Sequence, residues 1–115
     1  MMDDMIFVPD SGNYIYIIEW WHTMLPEPKV LIEQPSLEIL QYGVGGQIEL
    51  VPRFNNLGGR PCVAFCNEYG KQLMMKPNKY AHKLWEESLG RPIVEDHLVG
   101  NIVIIVAEPS FLRDM

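Results

Sequence analysis

With 115 residues, 48% of them hydrophobic and 21% charged, the chain fits one globular domain with a real core and is too short for two. No stretch approaches the roughly 18 apolar residues of a membrane helix, and a formal net charge of −6 disfavours a nucleic-acid-reading surface while leaving a basic protein partner open. Asp3 and Asp4 stand where a signal peptide carries positive charge, and the apolar run from Met5 to Val8 is too short for such a peptide's core, so the expected location is cytoplasmic.

Residues 1–12 read as an acidic leader ending in the turn-like Pro9-Asp10-Ser11-Gly12-Asn13, and residues 13–115 as a single α+β domain. Tyr14 to Trp21, rich in β-branched and aromatic residues, predicts a strand. Both of its alternating sets are mostly apolar, so both faces need cover, and one cover could be a second copy of the chain, giving a homodimer or higher oligomer. Pro26 and Pro28 break the pattern as a loop, and Val30 to Gln34 can add a short strand. Ser36 caps a short helix whose Leu37, Leu40 and Tyr42 face inward. Gly43, Gly45 and Gly46 then let the chain reverse from helix to strand through positive φ angles and close backbone approach.

Gln47 to Arg53 and Pro61 to Cys66 read as antiparallel strands joined by a glycine-containing loop, and Asn67 to Gly70 as a tight turn into a third segment, Lys71 to Met75. Asn78 caps a helix from Lys79 to Leu89 with Tyr80, Ala81, Leu84 and Trp85 along one stripe and Gly90 as its stop. Asn101 to Ala107 is almost wholly apolar, the pattern of a central strand covered on both faces. The sum is a compact α+β domain with an antiparallel or mixed sheet of about five strands packed by two helices.

On a strand, Cys62 and Cys66 lie roughly 13 Å apart on one face, beyond the ~7 Å reach of a disulfide. The same spacing departs from zinc-binding pairs on tight turns, so neither a bridge nor a metal is expected. Nothing in the sequence calls for a cofactor.

The order of short motifs carries a resemblance. Val44-Gly45-Gly46 with Ile48-Glu49, then Asn67, Glu68 and Gly70, then Asn78, then Val99-Gly100 resembles the family called domain of unknown function 3846, found largely in bacteriophages and mobile elements. It covers roughly residues 36–107, and the aromatic N-terminal segment lies outside it. What the resemblance implies is a phage-type accessory protein working in a bacterial cytoplasm; it supplies no catalytic residues.

Charge is uneven along the chain. From Arg53 to Lys83 six basic residues face one acid, about +5, and the remainder carries about −11. If the turn after Cys66 and the Asn78 helix start converge, Lys71, Lys76 and Lys79 with the helix N–H groups suit an anion. Asn67, Glu68, Tyr69 and Tyr80 complete this candidate site, the tyrosines as stacking surfaces. The same lysines can equally form a solvated face. Glu49 with Glu68, or the run Glu95-Asp96-His97, could do acid–base work if burial moves their pKa values, but no nucleophile motif accompanies them, and a small hydrolase is the weakest reading. Two functions remain: capture of a small anionic ligand such as a nucleotide or nucleotide-derived signal, which would serve counter-defence, and inhibition of a host protein through the acidic or aromatic surface.

Overall fold

The computed structural model describes residues 6–115. Among these residues six strands form one antiparallel sheet: β1 (Tyr14–Ile18), β2 (Lys29–Val30), β3 (Ile48–Leu50), β4 (Asn56–Leu57), β5 (Arg60–Asn67) and β6 (Ile102–Val106), in the order β2-β1-β6-β5-β3, with β4 paired to β5 alone. Among the same residues three helices accompany it: α1 (Leu37–Val44), α2 (Lys79–Leu89) and α3 (Pro109–Leu112).

β6 lies at the centre because it has no polar side chain to solvate; all five of its residues are inaccessible to solvent. It pairs with β1 from Tyr14 opposite Val106 to Ile18 opposite Ile102, and with β5 from Cys62 opposite Val106 to Phe65 opposite Val103. The two-residue side-chain period of a strand then sorts the core into two halves. Tyr16, Ile18, Cys62, Ala64, Ile102 and Ile104 meet Ala81, Leu84 and Trp85 of α2. Ile15, Phe65, Val103 and Ile105 meet Leu40 and Val44 of α1, with Phe111 and Leu112 of α3 alongside. The α+β arrangement expected from the sequence is present, and α3 and β4 add to it.

Both faces of β1 are therefore covered from within the chain, which removes the premise from which a second subunit was expected. The strand also ends at Ile18 rather than Trp21. The His22 ring accepts a hydrogen bond from the Glu19 N–H at 2.8 Å while the His22 N–H donates to the Glu19 carbonyl at 2.9 Å, so a closed turn puts Trp20 and Trp21 outside the sheet. Ile6 and Val8 pack against the α2-side core, and Arg60 donates to the Pro9 carbonyl at 3.1 Å, so the described part of the expected leader is held on the domain. Residues 1–5 lie outside the described residues.

Three other segments differ from expectation. Lys71 to Met75 is no strand: the Asn67 side chain accepts from the Tyr69 N–H at 2.8 Å, and backbone bonds from Leu73 to Tyr69 and from Met75 to Gly70 wind residues 68–75 into successive turns. In α1 the buried positions are Leu40, Gly43 and Val44, whereas Leu37 and Tyr42 are exposed. The loop after Phe54 is a tight hairpin, with Leu57 opposite Arg60 and Gly58 and Gly59 both at positive φ, the conformation a two-residue connection requires.

Candidate functional site: the N-terminal end of α2

Lys79 opens α2, and Asn78 is its cap. The Asn78 Oδ1 accepts from the Ala81 N–H at 3.0 Å, while its Nδ2 donates to the carbonyls of Ile18 and Gly100, each at 2.8 Å. One fully buried amide thus ties the end of β1, the start of β6 and the start of α2 together. Both amide donors and one of the two oxygen lone pairs are used, and the side chain is fully buried, so it positions the site rather than contacting a ligand.

The tie at Ile18 brings the turn after β1 to the helix start. Lys76 Nζ lies 5.2 Å from the centre of the Trp20 ring, within cation–π range. Trp20 was no part of the expected site; the Trp-Trp pair at the end of a strand was read as sheet. An open cavity of about 470 Å³ also adjoins this end of the helix, lined by Asn78, Lys79, His82, Ile93, Asp96 and His97 among others. The His82 Nε2 faces the Ile93 carbonyl at 3.0 Å and Glu86 at 3.3 Å, and its Nδ1 is buried without a hydrogen-bond partner among the described residues.

The basic segment from Arg53 to Lys83 does not form one positive surface. Acids from elsewhere in the sequence meet three of its members: Arg53 pairs with Glu95 at 3.8 Å, Arg60 with Glu108 at 3.2 Å, and Lys71 with Asp96. Burial works to raise the Asp96 carboxyl, but the Lys71 ammonium and the His97 N–H outweigh it and hold it below its ordinary range. Lys79 is exposed and has no ion-pair partner among the described residues, and the first turn of α2 carries no acid.

Six of the eight expected site residues line three separate hollows, and Tyr69 and Lys76 line none of these. Asn67, Glu68 and Lys71 line a cleft of about 210 Å³ with Glu49, Cys66 and Asp96. Asn78 and Lys79 line the α2 cavity, and Tyr80 faces a third, between α2 and the N-terminal segment. Asn67 is buried and structural, its Nδ2 donating to the Val44 carbonyl at 3.3 Å. Tyr69 is exposed, and Lys76 stands beside Trp20.

The 210 Å³ cleft holds the sequence's acid–base candidates Glu49, Glu68 and His97. Cys66 lies 4.0 Å from Glu49, and burial followed by that carboxylate pushes its thiol up to about 11, so it is no activated nucleophile. Glu95 lies outside the cleft, held near 2 by its bond from Arg91. Among the described residues no group of three or more His, Cys, Asp or Glu side chains could hold a metal ion, and no helix is long and apolar enough to cross a membrane.

No protein-family model matches the chain, and comparison with curated proteins and with solved structures gives no match either.

Proposed function

We propose that the protein is a non-enzymatic binding module that holds a small anionic ligand, of the nucleotide or phosphorylated-metabolite class, at the N-terminal end of α2. The observation that carries this reading is Lys79, a cation at the first position of an 11-residue helix with no acid in its first turn and no ion-pair partner among the described residues. The positive end of the helix dipole and the Lys79 ammonium favour the same sign of ligand charge. Lys76 beside Trp20 adds a second cation and a ring on which a base could stack. The family resemblance would imply a phage or mobile-element accessory protein in a bacterial cytoplasm, and in that setting we propose that the module withholds its ligand from a host process as counter-defence.

Thermal denaturation against inorganic phosphate, nucleoside mono- and diphosphates and cyclic nucleotides tests it. A ligand at 100 times its Kd stabilises the fold by about 2.7 kcal/mol. Lys79→Glu should abolish that shift yet leave the free protein as stable or slightly more so, because a carboxylate suits the first helical turn. Binding should weaken with added salt. The absence of any shift across this set overturns the reading.

A second reading is favoured by Trp20, Trp21 and Met24, which are 45%, 56% and 71% exposed within five consecutive residues. Aromatic and methionine side chains at that density suit the centre of a protein interface. In that case the partner is a host protein that the module inhibits, and Trp21→Ala abolishes co-purification with it while Lys79→Glu does not.

A further inference from the structure

We propose that the cavity between α2 and the N-terminal segment is a second binding site, for a compact, uncharged aromatic molecule bearing one hydrogen-bonding group, such as a phenol or an indole. The cavity measures about 390 Å³ and lies on another flank of α2: Tyr80, Lys83, Leu84 and Glu87 face it, whereas Lys79 and His82 face the hollow at the helix start. At 100° per residue these two sets diverge by about a third of a turn. Its walls are mostly apolar, with Phe7, Met24, Leu25 and three prolines opposite the helix. The volume is within the roughly 300–1,000 Å³ of small-molecule pockets and admits one or two rings.

Tyr16 supplies the polar group. It stands in the middle of β1 on the α2 side of the sheet, is 1% exposed, and lines the cavity. Its hydroxyl makes no hydrogen bond with any described residue, yet it does not number among the fully enclosed polar atoms without a partner. The hydroxyl is therefore the part of this otherwise buried side chain that reaches the open space. A phenol group in an apolar wall with no protein partner leaves both a donor and an acceptor to be met. Burial, reinforced by Tyr14, pushes its pKa up, so it stays protonated and neutral.

The wall carries two carboxylates, Glu27 and Glu87, against one ammonium, Lys83, which disfavours a second anion. A neutral ring fits better. Phe7 and Tyr80 can meet its edge or face, and the Met24 sulfur is suited to aromatic contact.

Titration of the full-length 15N-labelled protein with p-cresol, and separately with toluene, followed by amide chemical shifts, tests the site. Saturable shifts confined to residues around Tyr16, Thr23 to Leu25 and Tyr80 to Leu84 are expected, with p-cresol binding about tenfold tighter than toluene. Tyr16→Phe removes only an unbonded hydroxyl and should erase that tenfold difference without altering the melt. Thr23→Trp, at the exposed rim, should block both ligands. Lys79→Glu should leave p-cresol binding unchanged, which separates this site from the anion site. No saturable shift up to the solubility limit overturns the proposal, as do equal affinities of p-cresol and toluene for the unsubstituted protein, or undiminished binding to the Thr23→Trp variant.

Discussion

At the scale of single residues, buried amides and glycines set the geometry. Replacing Asn78 by Asp keeps the shape but turns two donated hydrogen bonds into a carboxylate facing the Ile18 and Gly100 carbonyls. The expected cost is on the order of 3 kcal/mol or more, read as a shift in the urea midpoint; a midpoint within error of the parent would refute the three-way tie. Gly43 and Gly45 were both read as conformational hinges, but they do different work. Gly45 has φ of 80° and open space around it, and its N–H donates to the Gln41 carbonyl as the left-handed end of α1. Gly43 is helical and buried, and a Cβ there would stand 2.5 Å from the Val103 Cγ2. Gly43→Ala should therefore destabilise the protein by about 1–2 kcal/mol, the roughly 1 kcal/mol of gained helix propensity being outweighed by overpacking against β6. An increase in melting temperature would contradict that close approach.

The cysteines make the pH dependence specific. Burial pushes Cys62 to about 12, and burial with Glu49 pushes Cys66 to about 11. The folded state then holds protons that an unfolded thiol releases near pH 8.5. Their contribution to stability is full below that pH and is lost as pH rises toward 11 and 12. The urea midpoint should fall more steeply above pH 9 in the parent than in a Cys62→Ala, Cys66→Ala double variant; parallel alkaline limbs would exclude this assignment. Both thiols are free, as their strand spacing implied.

At the scale of elements, what was legible was whatever local chemistry decides. Ser36 and Asn78 both cap as read, their side chains accepting from Ile39 and Ala81, and Gly45 and Gly90 both end helices with positive φ. Replacing Ser36 by Ala should cost about 1 kcal/mol, measured by chemical denaturation. Misreadings arose where a distant partner decided the outcome. Leu37 and Tyr42 fit an inward stripe, but the sheet lies against Leu40, Gly43 and Val44 instead. Lys71 to Met75 follows a turn, where a meander would place a third strand, but it finds no neighbour to pair with among the described residues, so local turn bonds claim it. Trp20 and Trp21 continue the β pattern until one histidine ring turns the chain away. The candidate site was legible only in part for the same reason: Lys79 at a helix start is a local feature, whereas the acids that neutralise Arg53, Arg60 and Lys71 come from residues 95–108.

At the scale of the whole molecule, the sheet is a closed centre with short margins. Every β6 side chain is inaccessible, and its backbone bonds to strands on both sides. Native-state hydrogen exchange should be slowest at β6 amides and fastest at β2 and the turns of residues 68–75, since only global unfolding exposes the first group. Fast exchange at Ile104 would place the centre of the sheet elsewhere.

The β1–β6 pairing joins Tyr14 to Val106, nearly the two ends of the described chain. During synthesis, then, α1, the β4–β5 hairpin and α2 all emerge before β6, the central strand whose two faces belong to the α2 and α1 halves of the core. The central seam closes only when β6 arrives, which makes folding a late event with a large loop to close and a slow rate for so small a domain. Until that moment β1 carries two unguarded apolar faces, and the nascent chain depends on chaperones or on speed to avoid sticking to its neighbours.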